Sequence, residues 1–240
     1  MSMPPRHQHL NNGGLLASIR ELVFGLEDSL VSTLGVVVGI GAGTDDPGVV
    51  ILSGIVLVVV EALSMSAGSF LSSKSHREML EQAVREERQE IETEPERETD
   101  ELRAMYRSRG FDPAEVEILV RRITGDKKLW LEEMIAKELK IGALELEGPK
   151  QSALVMFFAY LAGGVIPVLP YAFFAVPRAS IVASALTVTA LFFVGVGKAR
   201  ATGTNMLRSG LEMVLVSASA AGVGYLIGKL VGAYFGIDVR

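Results

Sequence analysis

The 240-residue sequence contains no cysteine. Disulfides, zinc fingers and cysteine-ligated iron–sulfur clusters are thereby excluded. Histidine is nearly absent, with only His7, His9 and His76. The paired Glu-x-x-His motifs of a ferritin-like di-iron site are missing, and no histidine lies in an apolar segment where it could join a Ser–His–acid triad. No Gly-rich phosphate loop ending in Lys-Ser/Thr is present, so ATP-driven chemistry is not expected. Bases are in deficit, 23 Lys+Arg against 28 Asp+Glu for a net charge of −5, and no basic stripe suggests a nucleic-acid partner. No short apolar run with a small-residue cleavage site stands apart near the N-terminus, so no signal peptide is expected. These absences point away from an enzyme and away from a resident cofactor.

Apolar residue is what the chain has in quantity. Hydrophobic residues make up 49% and the mean hydropathy is +0.36, although 21% of residues are charged. The two coexist because they are segregated: residues 74–150 hold 15 of the 23 bases and 20 of the 28 acids. A bilayer core of about 30 Å needs roughly 20 apolar residues in a helix. Five stretches qualify: Leu22–Gly43, Gly48–Leu71, Ala153–Val176, Ser180–Val196 and Leu211–Phe235. The expected fold is an all-α integral membrane protein of five transmembrane helices, with a three-helix charged domain inserted between the second and third. The divisions are a tail at 1–20, helices one and two at 21–73, the Glu-rich domain at 74–150, and helices three to five at 151–240.

Lys and Arg gather on one side of these spans. Arg6, Arg20, Lys74, Arg77, Lys150, Lys198, Arg200 and Arg208 flank one side, while Arg178 and Arg240 flank the other. The positive-inside bias then puts the N-terminus and the charged domain in the cytoplasm and the C-terminus outside. Gly35, Gly39 and Gly43 repeat every four residues, as do Gly224, Gly228, Gly232 and Gly236. Such stripes permit close helix packing in lipid, either within the chain or across a homodimer seam. Gly163-Gly164 followed by Pro167 and Pro170 predicts a kinked or broken third span, and Pro177-Arg178 predicts the turn into the fourth.

In the charged segment, one helix continues from the second span to about residue 93, where Pro95 interrupts it. Others are expected from Glu96 to Gly110, from an Asp112 cap to about Gly125, and over 127–141. Glu87 and Glu90 lie three residues apart, as do Glu98 and Glu101, and Met134 lies four before Glu138. Three helices could therefore aim carboxylates and one thioether at a common point. Carboxylates bind divalent cations, and a soft sulfur shifts the preference toward transition metals. The plainer alternative is a solvated face of Glu–Arg pairs, with Arg85, Arg88 and Arg97 as partners.

Acids inside the apolar spans are more telling. An ionised side chain at mid-helix costs about 2.5–3.5 kcal/mol on insertion scales. Asp28, Glu61 and the neighbouring Glu27 accept that cost, and Met65 lies four residues after Glu61 on the same face. Such acids mark ion or proton pathways; the alternative for Asp28 is a place near the membrane interface.

These stretches resemble the vacuolar iron transporter family. The likeness rests on Gly25-Leu26-Glu27-Asp28-Ser29-Leu30-Val31-Ser32 and on Glu61-Ala62-Leu63-Ser64-Met65-Ser66-Ala67-Gly68. It rests also on the Glu-rich hairpin around Glu87–Glu101, the Trp130–Leu139 helix and the Gly-rich fifth span. The resemblance implies a dimer of five-helix subunits exchanging Fe²⁺ for H⁺. It places cytoplasmic metal ligands at Glu87, Glu90, Glu98, Glu101, Met134 and Glu138, with Ile135 where the family often has a second methionine. It places the transport pathway and proton coupling at Asp28, Glu61 and Met65. The expected function is a proton-coupled Fe²⁺ transporter moving iron out of the cytoplasm, with Mn²⁺, Zn²⁺ and Co²⁺ as further candidate ions. The alternatives are a Mn²⁺ or broad divalent-metal exporter of the same fold, and a membrane-anchored metal sensor or storage adaptor. The expected partners are the bilayer, metal ions, protons and a second copy of the chain. A prokaryotic plasma membrane is the expected location, with a vacuolar membrane as the alternative.

Overall fold

The computed structural model describes residues 13–137 and 148–219. Among them there is no strand. The helices are α1 (Gly13–Gly43), α2 (Pro47–Thr93), α3 (Pro95–Ser108), α4 (Pro113–Thr124), α5 (Lys127–Lys137), α6 (Pro149–Val168) and α7 (Val176–Thr202). A further helix, α8, covers 206–219. The chain divides into two compact units, one centred on Ser72–Gly148 and the other on Leu15–Leu71 with the residues from Pro149 onward.

Among the described residues, four helical segments are long and apolar enough to cross a membrane: Ile19–Gly43, Pro47–Thr93, Pro149–Ala172 and Val176–Thr202. Most of the expected fifth span, Leu211–Phe235, lies outside the described residues, as does its glycine stripe. Large apolar side chains point outward, with Leu52 at 66% and Ile181 at 71% exposure. In water that surface would be unsustainable, whereas hydrocarbon accepts it. The α1–α2 turn is held by side chains: the Asp46 N–H donates to Thr44 Oγ1 at 3.1 Å, and the Gly48 N–H donates to Asp46 Oδ1 at 2.8 Å. Inside, Val37, Val50, Val168, Tyr171, Val176, Ala179 and Ala183 form one apolar core. The Tyr171 hydroxyl pins that core by donating to the Val37 carbonyl at 3.2 Å. A second cluster joins Leu30, Leu191 and Met213 of α1, α7 and α8.

Three boundaries differ from the sequence reading. Helix α1 already begins at Gly13, within the stretch expected to be a tail. The third span is broken as expected, but by a change of helix type: α6 ends at Val168 and a 3₁₀ turn runs over Leu169–Ala172. Pro167 and Pro170 lack the N–H that would continue an α-helix, and their rings crowd the preceding turn. The connection to α7 consequently lies at 173–175, and Pro177 sits in the first turn of α7, where a missing N–H costs nothing. The Pro177-Arg178 turn is thus corrected to a helix start. Helix α7 also outruns Ser180–Val196 at both ends.

Close helix crossings depend on glycine. A Cβ on Gly163 of α6 would collide with Ser29 Oγ and sit 3.0 Å from the Leu26 carbonyl of α1. A Cβ on Gly195 of α7 would meet the Ser209 carbonyl oxygen at 2.5 Å and the Gly210 Cα at 2.8 Å, backbone that cannot rotate away.

The charged unit is an ordinary amphipathic assembly. Ile91, Leu102, Tyr106, Val116, Val120, Ile123, Trp130 and Met134 form its core, drawn from α2, α3, α4 and α5. Helix α4 opens on a capping box: Asp112 Oδ1 accepts from the Ala114 N–H at 2.9 Å, and Glu115 Oε2 accepts from the Asp112 N–H at 3.0 Å. Asp126 starts α5 by accepting from the N–H groups of Lys128 and Leu129. Tyr106 donates its phenol proton to Glu133 Oε1 at 2.6 Å, tying α3 to α5.

Two outcomes test this packing. Gly195→Ala is expected to destabilise the protein by about 1–3 kcal/mol through overpacking, while Gly197→Ala, whose Cβ would meet nothing within 4 Å, is expected to be neutral. Thermal unfolding in detergent compares them. Burial first, then the bond to Glu133, pushes the Tyr106 phenol up to about 12. The folded chain therefore holds that proton more tightly than the unfolded chain, whose tyrosines ionise near ~10. Stability from this group is complete below about pH 10 and falls away as the pH climbs to about 12. Helix content followed by circular dichroism across that window should decline more steeply in wild type than in Tyr106→Phe.

Candidate metal centre and membrane acids

Helix α2 continues without a break past residue 72, so Glu87 and Glu90 fall one turn apart on one face. Pro95 then stops it: Glu94 leaves helical geometry at φ −129°, and α3 restarts with proline in its first turn. Along α3, Glu98, Leu102 and Tyr106 recur every four residues and form the buried row. The hairpin thereby brings one carboxylate oxygen from each of Glu87, Glu90 and Glu98 within 4.8 Å of the others. Glu98 is fully buried and Glu87 is 3% exposed. Oxygen–metal distances of about 2.0–2.6 Å put ligands across one divalent ion up to about 5 Å apart, so the trio has the right span for such an ion.

A guanidinium rims this cluster. Arg97 Nη1 lies 2.7 Å from Glu94 Oε2 and its Nε lies 3.4 Å from Glu101 Oε1. Its Nη2 lies 3.7 Å from Glu98 Oε1 and 3.9 Å from Glu90 Oε2. The hydrogen bonds to Glu94 and Glu101 raise the Arg97 pKa further above its ordinary value, so it is a permanent cation. Among the described residues, Arg85 and Arg88 form no ion pair. A solvated Glu–Arg face therefore describes Glu94 and Glu101, whereas Glu87 and Glu98 are buried.

The remaining cytoplasmic candidates separate. Glu101 points to Arg97 and lies outside the trio. Met134 is fully buried in the apolar core with Trp130 and Leu102. Glu138 lies outside the described residues.

In the apolar unit, α1 carries Asp28 and α2 carries Glu61, both half-buried. Asp28 lies within Coulombic range of Glu61 and of Glu27. Among the described residues neither Asp28 nor Glu61 has a Lys, Arg or His in ion-pair contact. Glu27 is engaged elsewhere, accepting from Ser217 Oγ of α8 at 3.1 Å. Met65, also half-buried, follows Glu61 by one turn.

Sequence reasoning missed two features here. Ser32, one turn after Asp28, shares a hydrogen bond of 2.9 Å with the hydroxyl of the fully buried Tyr160 on α6. Tyr160 was visible as one of two tyrosines, with Tyr171, in the otherwise apolar run Ala153–Val176. Glu21, two turns before Asp28 on the same face, is 6% exposed and bridges Arg20 at 2.9 Å.

Comparison with known proteins places this arrangement. The profile described as VIT family matches residues 19–229. The chain belongs to the VIT family. Vacuolar iron transporter 1 of Arabidopsis thaliana is 31% identical over 217 residues, covering 89% of this chain and 86% of that protein. The vacuolar iron transporter of Centaurea cyanus is 29% identical, covering 88% and 87%. That of Acanthamoeba castellanii is 27% identical, covering 91% and 82%. The matched region of this VIT-family chain takes in both the carboxylate trio and the membrane acids.

Glu98→Gln keeps the shape of the side chain and replaces one carboxylate oxygen of the trio with an amide nitrogen. With Co²⁺ or Mn²⁺ added, wild type should gain stability, and the variant should need at least about tenfold more metal for the same gain. Equal metal-induced shifts in a thermal-melt series would remove the trio as a binding site.

Proposed function

We propose that this protein is a proton-coupled Fe²⁺ transporter that carries ferrous iron out of the cytoplasm. Its charged unit faces the cytoplasm and captures the ion. The observation that carries the transport reading is a pair of half-buried acids, Asp28 and Glu61, within Coulombic range of each other in the apolar unit of a VIT-family chain, with no basic partner among the described residues. An ionised carboxylate pair binds a divalent cation; the same pair, protonated, no longer does. Metal leaving on the side where protons enter then gives exchange without ATP. Met65, one turn from Glu61, would add a sulfur ligand that favours Fe²⁺ over Mg²⁺.

The Lys/Arg distribution supports a cytoplasmic N-terminus and charged unit. A homodimer is supported by α1: Cβ atoms at Gly35, Gly39 and Gly43 would meet nothing within 4 Å among the described residues, leaving a small-residue face for a second copy. The host membrane proposed from the sequence is a prokaryotic plasma membrane, with the vacuolar membrane that the relatives' names favour as the alternative. One observation favours Mn²⁺ as a second substrate: the trio is all oxygen, and Met134 is packed in the core.

Proteoliposomes with an acidic lumen test the exchange. Fe²⁺ uptake by wild type should rise with the pH gradient. Asp28→Asn, which mimics the protonated acid, and Glu61→Gln should each lose at least about tenfold of the gradient-driven flux, about 1.4 kcal/mol. Wild-type flux in both variants would overturn the exchange mechanism, and competition by Mn²⁺ in the same assay ranks the two metals.

A further inference from the structure

The Glu87–Glu90–Glu98 trio contains its own competitor for metal. Arg97 precedes Glu98 on α3; side chains of adjacent helical residues diverge by about 100°, so Glu98 turns into the core while Arg97 stays at the rim. Its side chain is 51% exposed. The four carboxylates it touches fall into two classes. Glu94 and Glu101, its i−3 and i+4 neighbours, hold it at 2.7 and 3.4 Å; Glu94 is exposed and Glu101 half-buried. Glu90 and Glu98 feel only the Nη2 corner, at 3.9 and 3.7 Å.

Resting on the metal reading of the trio above, we propose that Arg97 is the built-in counter-cation of this site, occupying it electrostatically when metal is absent and withdrawing from Glu90 and Glu98 when a divalent ion binds. The short contacts to Glu94 and Glu101 are the ones that survive the withdrawal, so the guanidinium moves outward without losing its anchors. A neighbouring positive charge repels an incoming cation and stabilises the empty carboxylates against one another. Both effects weaken net metal affinity, which turns a tight carboxylate site into a reversible one. Arg97 acts through the carboxylates and is a positioning residue, not a ligand.

The test is calorimetric titration of the full chain in nanodiscs with Co²⁺, in an Asp28→Asn background that silences the membrane acids. Arg97→Gln is expected to bind Co²⁺ about tenfold more tightly than the parent, and Arg97→Lys, which keeps the charge, should stay close to the parent. Arg103→Gln removes the same charge from the same helix, but Arg103 bridges Glu117 at 2.8 Å and Asp100 at 2.7 Å, away from the trio. It should bind within about twofold of the parent. Tighter binding is a result that mere loss of structure cannot produce. Unchanged or weaker binding by Arg97→Gln, or equal tightening by Arg103→Gln, overturns the proposal. Failure of the trio reading itself is separately visible as equal Co²⁺ binding by the parent and by Glu98→Gln.

Discussion

A carboxylate withdrawn from water needs positive charge or hydrogen-bond donors around it, since its unaccompanied ionised form costs several kcal/mol. Glu98 and Glu87 impose that requirement on the whole charged unit. Their burial is produced by apolar neighbours: Leu102 and Tyr106 pull the Glu98 face of α3 inward, and Ile91 does the same for the end of α2. Pro95 makes the register possible by ending α2 in time for α3 to fold back. Arg97 then stands as a permanent cation 3.7 Å from Glu98, and its position at the rim follows from its place in the sequence beside Glu98. Two acids held in a core are a feature that a purely structural helical hairpin would not need.

The apolar unit answers a different demand. In hydrocarbon every backbone donor and acceptor must be satisfied within the chain, which confines the fold to helices. Cohesion between those helices comes from close contact and scattered hydroxyl bonds. Gly163 and Gly195 admit neighbouring backbones, Tyr171 reaches the Val37 carbonyl, and Ser66 donates to the Ala153 carbonyl at 2.9 Å. Against this background Asp28 and Glu61 are exceptional. Glu27 and Glu21 have partners in Ser217 and Arg20, whereas the acids on α1 and α2 that approach each other have no basic partner among the described residues.

Much of this was legible because the signals are local. The Thr44–Pro47 turn, the Asp112-Pro113 start and the interruption at Pro95 each depend on residues within a few positions of one another. The break after Val168 was legible in kind but not in place: Pro167, Pro170 and Pro177 are chemically equivalent signals, and a proline can end one helix or begin the next. Among the acids, the three-residue spacing of Glu98 and Glu101 could not say which faces inward. The four-residue row of Glu98 with Leu102 and Tyr106 could have said so, since it is the apolar stripe of α3. The same logic puts Met134 one turn from Trp130, in the core. The Ser32–Tyr160 and Glu27–Ser217 bonds join residues 128 and 190 positions apart, and no local pattern announces such pairs.

The two acid clusters differ in the competitor that each presents to a metal ion, and that difference bears on how the proposed transport would be coupled. Arg97 carries its charge across the whole physiological range, so in the proposed site its competition would be constant. It would set how tightly an ion is held without switching. Asp28 and Glu61 meet no such cation among the described residues; in the proposed exchange their rival would be the proton, whose competition would rise and fall with the pH on the side to which they open. A site with a fixed competitor suits capture at steady affinity, and a site with a variable competitor suits release against a gradient. The division of labour assigned to the two units therefore follows from which cation stands beside each set of carboxylates.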